Sequence, residues 1–509
     1  MKAGVIDIGS SSIKLIIGEA EKEGIRILES LKNIFPIGNN TFHKGFISQE
    51  TINQAIRILL KYKQILDEYE VKSISVIATT AVREADNKDI FIDTVLRKTG
   101  FNVEVLTVGD VVYSIDSYLS YKLKDTYPIR TRNLLIAELG AGSLDLSVME
   151  KGFTLMNLGL PLGTLRIKQL LTRFDGTLQE NYEAASEYIE NEFNYFRRTM
   201  SAIEIDDIIL IDEKYSVYLP RIARSIKGEL NFFELGKEDA AEILNQLGDK
   251  SPEEILRTYK IPLEIADTIP AFAILLKHFF MLFQGGSIHI LETSLAEAIL
   301  ANALLNFDLE TKYNKENQLL SIANFLCGKY DMDLNHARHV AGLSKALFEG
   351  LKQHLGLAAG DLLYLELAAY FHDIGIFIHN RAHHKHSEYI VSFLNLFRIA
   401  EEEIKVIACI ARYHRRAEPR GTHLIYNSLS LPRQILVQKL AALLRIANAL
   451  DRSHKQKVKK LEVRFNRSQD IVLVAHTPEN FVLEKADFLD KKDSLEDIGG
   501  NKVSLEVRP

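Results

Sequence analysis

The chain has 509 residues and a formal net charge of −6, with 47% hydrophobic and 26% charged residues. These are ordinary values for a globular chain of roughly two to four domains, so any binding of a polyanion has to come from local positive patches. The two cysteines, Cys327 and Cys409, lie outside any CxxC spacing; this excludes a disulfide scaffold or cysteine-type zinc site and predicts a cytoplasmic protein.

A strand is expected almost at once, so no signal peptide is predicted. Residues 5–19 read VIDIGSSSIKLIIGE: an apolar strand ending in Asp7, a turn of Gly9, Ser10, Ser11 and Ser12, then a second apolar strand. Such a turn favours a tight hairpin whose successive amides point to one side and attract an anion, with the serine hydroxyls as further donors. A plain hairpin with small turn residues is the alternative. The sequence lacks the Gly-Lys-Ser/Thr of a nucleotide-binding P-loop.

Ser48 opens a predicted helix with Ile52, Ala55, Ile56, Leu59, Leu60 and Leu66 at helical spacing. The strand Ser73–Ala78 follows, and Arg83 lies just past its end, where α/β proteins place ligand contacts. Arg83 could grip a phosphate or pair with Glu84 or Asp86. Residues 134–150, LLIAELGAGSLDLSVME, align without gaps on the opening stretch: Glu138 meets Asp7, Gly140 meets Gly9, Ser143 meets Ser12 and Leu146 meets Leu15. Two copies in one frame predict a duplicated lobe, with a pair of phosphate-binding turns.

A further strand in residues 206–224 (DDIILIDEKYSVYLPRIAR) runs into Asp212, Glu213 and Lys214. The most apolar stretch, residues 261–283, is broken by Glu264, Asp267, Lys277 and His278 and is expected to be a buried helix, not a membrane span.

Beyond about residue 310 the pattern is helical and rich in histidine: NHARHV, AAYFHDIGIFI, HHKHSEYI, IARYHRR and LLRIANALDRSH. His372 and Asp373 fall together inside an apolar helical pattern, where a buried pair needs partners or a metal. His336, His372, His386 and His414 with Asp373 form a donor set suited to Mn, Fe, Zn or Mg. Basic residues cluster at 383–386, 412–420 and 455–460, either as a functional patch or as a solvated face. Without interleaved aromatics or a recognisable nucleic-acid fold, no specific nucleic-acid binding is expected. The last segment alternates polar and apolar residues and predicts a small antiparallel sheet.

Taken in order, VIDIGSSSIKL, ATTAVREADN, LLIAELGAGSLDL and LGLPLGTLRI resemble the exopolyphosphatase/guanosine pentaphosphate phosphatase family of the actin-like superfamily. The resemblance implies an α/β fold of two ribonuclease-H-like lobes (residues 1–130 and 131–310), an all-α HD-like domain (311–460) and a small α+β, β-rich tail (461–509). It implies an interlobe cleft releasing terminal phosphate from polyphosphate or pppGpp with Mg²⁺, in a homodimer, with a basic channel guiding long chains. Asp7 and Glu138 would manage Mg²⁺ and water. Asp145 would stand for a glutamate that helps to place them. Gly9, Ser10, Ser11, Ser12, Arg83, Gly140, Gly142 and Ser143 would hold phosphates.

Several positions depart from the family pattern. The general-base glutamate falls on Val111, which cannot accept a proton, leaving Asp110 as a stand-in. A glycine-rich phosphate loop is replaced by Asp212, Glu213 and Lys214, whose carboxylates are expected to repel a polyanion. Ala141 replaces a glycine, and SLAEAIL (residues 294–300) lacks an arginine and a glycine. These changes imply either a weakened hydrolase or a non-catalytic relative that binds polyphosphate or nucleotides. The histidine-rich part resembles HD-type metal phosphohydrolases, implying ligands at His336, His372 and Asp373, with Asn448 in place of the last aspartate and His386 and His414 as extra histidines. A third reading is therefore an HD-domain hydrolase.

Overall fold

The computed structural model describes all residues except 23, 174–175, 201–202, 223–226, 230–231, 248–249, 283–286, 307–312 and 416–417. Ala223 and Arg224 of the 206–224 stretch, Phe283 of the apolar stretch and Arg416 of a basic cluster therefore lie outside the described residues. The chain forms two compact units, Met1–Asn314 and Lys315–Pro509.

The first unit is built on two sheets. One contains β1 (Lys2–Ile8), β2 (Ser12–Glu21), β3 (Gly24–Ile34), β4 (Ser73–Ala78) and β5 (Val103–Val105), in the order β3-β2-β1-β4-β5. The other contains β6 (Asn133–Leu139), β7 (Leu144–Glu150), β8 (Phe153–Leu160), β9 (Asp207–Ile211), β10 (Lys227–Glu229), β11 (Phe232–Leu235) and β12 (Ser287–Leu291), in the order β10-β11-β12-β9-β6-β7-β8. Read as β8-β7-β6-β9-β12, the second sheet repeats the first: three antiparallel strands, then two parallel ones. The sequence repeat is thus a repeat of topology, and the antiparallel strands β10 and β11 are added to one copy. Register carries the equivalence to single residues, because Asp7 opposes Lys14 as Glu138 opposes Asp145.

β1 and β6 are central and buried on both faces, which is why their sequences are apolar runs between a polar first residue, Lys2 or Asn133, and the acids Asp7 and Glu138. The helix Gln49–Glu68 begins where expected, with Ser48 accepting a bond from the Thr51 amide at 3.2 Å. It buries Ile52, Ala55, Ile56, Leu59 and Leu66, but Leu60 is 41% exposed, since one residue past Leu59 turns it off the apolar stripe. Within the apolar stretch, the helix Ile269–Leu282 buries Phe272, Leu275, Leu276 and Phe279. Among the described residues no helix is long and apolar enough to cross a membrane.

The second unit packs helices that include Leu334–Leu355, Asp361–Phe371, His383–Ser392, Glu401–Arg412 and Leu431–Ala449. A three-stranded sheet of β13 (Lys460–Phe465), β14 (Ile471–His476) and β15 (Val503–Arg508) belongs to the same unit. Only β13 and β14 pair antiparallel; β14 and β15 are parallel, which corrects the expected all-antiparallel tail. The helices Val482–Lys491 and Asp493–Gly499 lie between β14 and β15 and form the crossover that parallel pairing requires.

Candidate functional site

The two glycine–serine turns close identically. Gly9 donates its amide to the Ser12 carbonyl at 3.0 Å, and Gly140 donates to the Ser143 carbonyl at 3.0 Å. Among the described residues, the amides of Ser10, Ser11, Ala141 and Gly142 find no backbone acceptor, as an anion-receiving turn requires. The carbonyls of these turns are tied down instead. Phe35 and Gly38 donate to Ser11 and Ser10 at 2.9 Å each, and Thr164 and Leu165 of the LGLPLGTLRI segment donate to Gly140 and Ala141 at 3.2 and 2.9 Å.

The turns face one another across the space between the sheets. Thr80 Oγ1 lies 2.8 Å from Ser143 Oγ, and a Cβ on Gly142 would fall 2.4 Å from Ser10 Oγ and 2.7 Å from Phe42. A side chain there would have to push Ser10, Phe42 and Thr80 aside. Gly163 is equally constrained, since its Cβ would come within 2.2 Å of the Ala141 carbonyl oxygen. A cavity of about 110 Å³ opens between the turns, and Asp7, Ser10, Ser11, Glu138, Gly140 and Asp145 contribute to its wall.

The carboxylates of this cavity are buried. Burial, reinforced by Glu213 and opposed by Lys14 and Lys32, pushes Asp7 up to about 6. Burial also raises Asp145 to about 6 against the pull of Arg83 and Ser143. Glu138 is raised well above the ordinary carboxylate range, by burial first and then by the charges of Asp145, Asp7 and Glu213. Among the described residues, Oδ1 of Asp7 and Oδ1 of Asp145 accept no hydrogen bond. Buried acids with orphaned oxygens fit a hard divalent cation, and Mg²⁺ asks for only one or two carboxylates when water and phosphate complete its shell.

Other expected residues sit elsewhere. Arg83 is not paired with Glu84 or Asp86. It donates to the Leu106 carbonyl at 2.8 Å and to Thr80 Oγ1 at 3.2 Å, which places it behind the wall, within electrostatic reach of Glu138 and Asp145. Val111 lines the cavity at the expected base position, whereas Asp110 is turned away. The Asp110 carboxylate accepts from the amide and hydroxyl of Thr107 at 3.1 and 2.8 Å, forming a capping box that starts the helix Val108–Lys122, so it is not offered to the cavity as a base.

Repulsion by Asp212 and Glu213 also needs correction. Asp212 is buried and accepts from the amides of Lys214, Tyr215 and Ser216 at 3.2, 2.7 and 2.5 Å. Glu213 is ion-paired with Lys14, and with Lys32 at 3.4 Å. Lys214 lines the cavity, donates to Thr268 Oγ1 at 2.7 Å and is lowered to about 8 by burial. Nothing in the local sequence marks Lys32 or Thr80 as site residues; for Lys14 the gapless repeat, which sets it against Asp145, is the one usable signal.

In the second unit His372 ends the helix Asp361–Phe371 and Asp373 begins a 3₁₀ turn, so the pair marks a helix end, not its interior. His372, His383 and His414 place Nδ1 2.7, 3.0 and 2.6 Å from the carbonyls of Ala369, Asn380 and Ala411. His336 Nδ1 is 2.8 Å from Asp451. With Nδ1–H donating in each, all four rings present an Nε2 lone pair. Two overlapping donor groups result, His336–Asp373–His454 and Asp373–His383–His414, each with atoms within 4.8 Å of one another. His372 Nε2 lies 3.3 Å from that of His336 and 3.5 Å from Asp373. His386 and Asn448 fall outside both groups: His383, one helical turn earlier, takes the place expected of His386, and Asp451 reaches His336 from beyond Asn448. Asp451 and His454 lie in the turn after the helix Leu431–Ala449 and His383 is the first residue of its helix, so none of the three carries a periodic signal in the sequence.

Comparison with known proteins matches this construction. The Ppx/GppA phosphatase family matches residues 15–307, and Ppx/GppA phosphatase, domain III, matches residues 319–493. A guanosine-5′-triphosphate,3′-diphosphate pyrophosphatase of Pseudoalteromonas translucida is 24% identical over 455 residues, 87% of this chain and 86% of that protein. Exopolyphosphatase 1 of Mycobacterium tuberculosis is 25% identical over 169 residues, 33% of this chain and about half (48%) of that protein. The crystal structure of an exopolyphosphatase from Cytophaga hutchinsonii superposes with a TM-score of 0.53 at 22% identity, covering 60% of this chain and 99% of that one. The Aquifex aeolicus Ppx/GppA family member gives 0.51 at 20% identity, covering 60% and 98%. At these identities the superpositions speak for the fold, an α/β core of actin-like sheets. Since one family match alone spans more than half of the sequence, the chain belongs to the Ppx/GppA phosphatase family.

Proposed function

We propose that the first unit is a phosphoanhydride hydrolase releasing terminal phosphate from polyphosphate or guanosine pentaphosphate. The observation that carries this reading is the facing pair of turns, whose unpaired amides converge on one cavity with Asp7, Glu138 and Asp145. The amides and the hydroxyls of Ser10, Ser11, Ser12 and Ser143 would hold phosphoryl oxygens where charge develops. Asp7 and Asp145 would hold Mg²⁺, which when bound offsets phosphate charge. Arg83 keeps Thr80 against Ser143 and its charge favours ionised Glu138 and Asp145. With Val111 at the base position, the proton of the attacking water falls to Glu138, whose raised affinity for protons suits that task. Loss of the dedicated base lowers the rate by a factor on the order of 10²–10⁴.

Phosphate release from polyphosphate and from pppGpp with Mg²⁺ tests this. Slow release abolished by Asp7→Asn and by Glu138→Gln is expected. Binding without turnover would select a non-catalytic polyphosphate- or nucleotide-binding protein instead.

The two histidine groups sharing Asp373 favour a second, separate reading: the second unit is HD-like and holds divalent metal. Burial lowers His372 to about 4, keeping a neutral imidazole available as a ligand. Metal content of the purified protein, reduced by His383→Ala and His414→Ala, is the test; unchanged content would remove this reading.

A further inference from the structure

The 212–216 turn and its lysines carry an inference that rests on the hydrolase reading and deepens it. Lys14 lies on β2 directly opposite Asp7, and Lys32 on β3 contributes to the cavity wall. Both ammonium groups are taken by Glu213, which comes from the other sheet, just beyond the end of β9. Lys14 also donates to Ser294 Oγ at 3.2 Å, so its head is fixed at the same mouth. The carboxylate is two-thirds buried, with 33% exposure, and burial alone would raise it. Lys14 and Lys32 outweigh burial and hold it below the usual range, so it is ionised here. Beside it Asp212 fills the amides of residues 214–216. The chain thus carries its own anion at the point where two cations from one sheet meet the other sheet.

We propose that Lys14 and Lys32 are phosphate-binding residues of the cleft and that Glu213 is a tethered competitor, displaced when a polyphosphate chain enters. The physical case is an exchange of partners. A phosphate oxygen offers the lysines the same charge-assisted bonds as the Glu213 carboxylate. Binding therefore costs the Glu213 contacts but little further desolvation of Lys14, whose side chain is only 14% exposed in the fold, while Lys32 is the half-exposed partner. Leaving also removes a negative charge that acts on Asp7 and Glu138. Short anions that cannot bridge both lysines displace Glu213 poorly, so the device selects chains of linked phosphates over orthophosphate.

The probe is inorganic tripolyphosphate, titrated calorimetrically into the full chain with Mg²⁺, with orthophosphate in parallel. Glu213→Gln is expected to tighten tripolyphosphate binding about tenfold and to steepen its salt dependence, because two lysines become free to bind. Lys14→Gln in that background should return affinity to or below the parent value. Lys32→Gln alone, at the half-exposed end of the contact, should loosen binding and provides the reading if Glu213→Gln does not fold. Parent-like or weaker binding by a folded Glu213→Gln protein overturns the competitor, as does unchanged affinity in Lys32→Gln. Absence of tripolyphosphate binding by parent and variants alike overturns the hydrolase reading itself.

Discussion

Asp116 gives the sharpest test of the electrostatics. It lies on the helix Val108–Lys122, is 4% exposed and accepts from Ser147 Oγ at 2.7 Å and Thr154 Oγ1 at 2.9 Å through Oδ2. Its Oδ1 accepts nothing among the described residues. Burial outweighs the two hydroxyl bonds and raises the carboxyl from 3.8 to about 7. The folded protein therefore holds this proton between those limits while the unfolded chain releases it. The associated stability is full below 3.8 and is lost as pH climbs through about 7. At about 1.4 kcal/mol per pH unit, a rise from pH 5.5 to 8 removes about 2 kcal/mol, the loss ending near 7. Asp116→Asn keeps an acceptor for both hydroxyls and does not titrate. Its stability advantage over the parent should grow by about 2 kcal/mol across that interval, or about 4 °C in Tm at about 2 °C per kcal/mol. Melting curves of both proteins at the two pH values measure it. Parallel shifts, with a constant Tm difference, would refute the claim that Asp116 is protonated in the fold at the lower pH.

Gly142→Ala should cost about 1–3 kcal/mol by thermal melting and weaken phosphate-chain binding, because its Cβ drives Ser10, Phe42 and Thr80 away from the second turn. Val111→Glu places a carboxylate on the cavity wall at the vacant base position and should raise phosphate release by about tenfold or more in a steady-state assay. Ser48→Ala should lower Tm by removing the cap bond to the Thr51 amide, about 1 kcal/mol. Gly375→Ala would bring its Cβ within 2.1 Å of the His383 carbonyl and 2.4 Å of the Ser387 amide, and should cut metal content by displacing the start of the helix His383–Ser392.

The duplicated hairpin was legible because a turn that must bend tightly and expose amides accepts few residue types, and the register then follows from strand alternation. The helix at Ser48 was legible for a similar reason: cap chemistry and period are local. Asp110 shows where sequence reading stops. An acid beside a vacant base position and an acid three residues after a capping threonine are the same residue, and only coordinates show which neighbour it serves. Glu213 looked like a repulsive charge because its lysines lie 199 and 181 residues away in the chain. The direction of β15 was likewise set by crossover helices, not by its own alternation.

The three amides satisfied by Asp212 have a dynamic consequence. A loop that presents bare amides to an incoming phosphate is held in shape partly by that phosphate and loosens when it leaves. Here the carboxylate is covalently part of the loop and accepts from all three amides, so residues 214–216 are expected to stay wound whether the cleft is full or empty. Their hydrogens should exchange slowly with deuterated solvent in the apo protein and gain no further protection from tripolyphosphate, while the amides of Ser10, Ser11, Ala141 and Gly142 slow markedly.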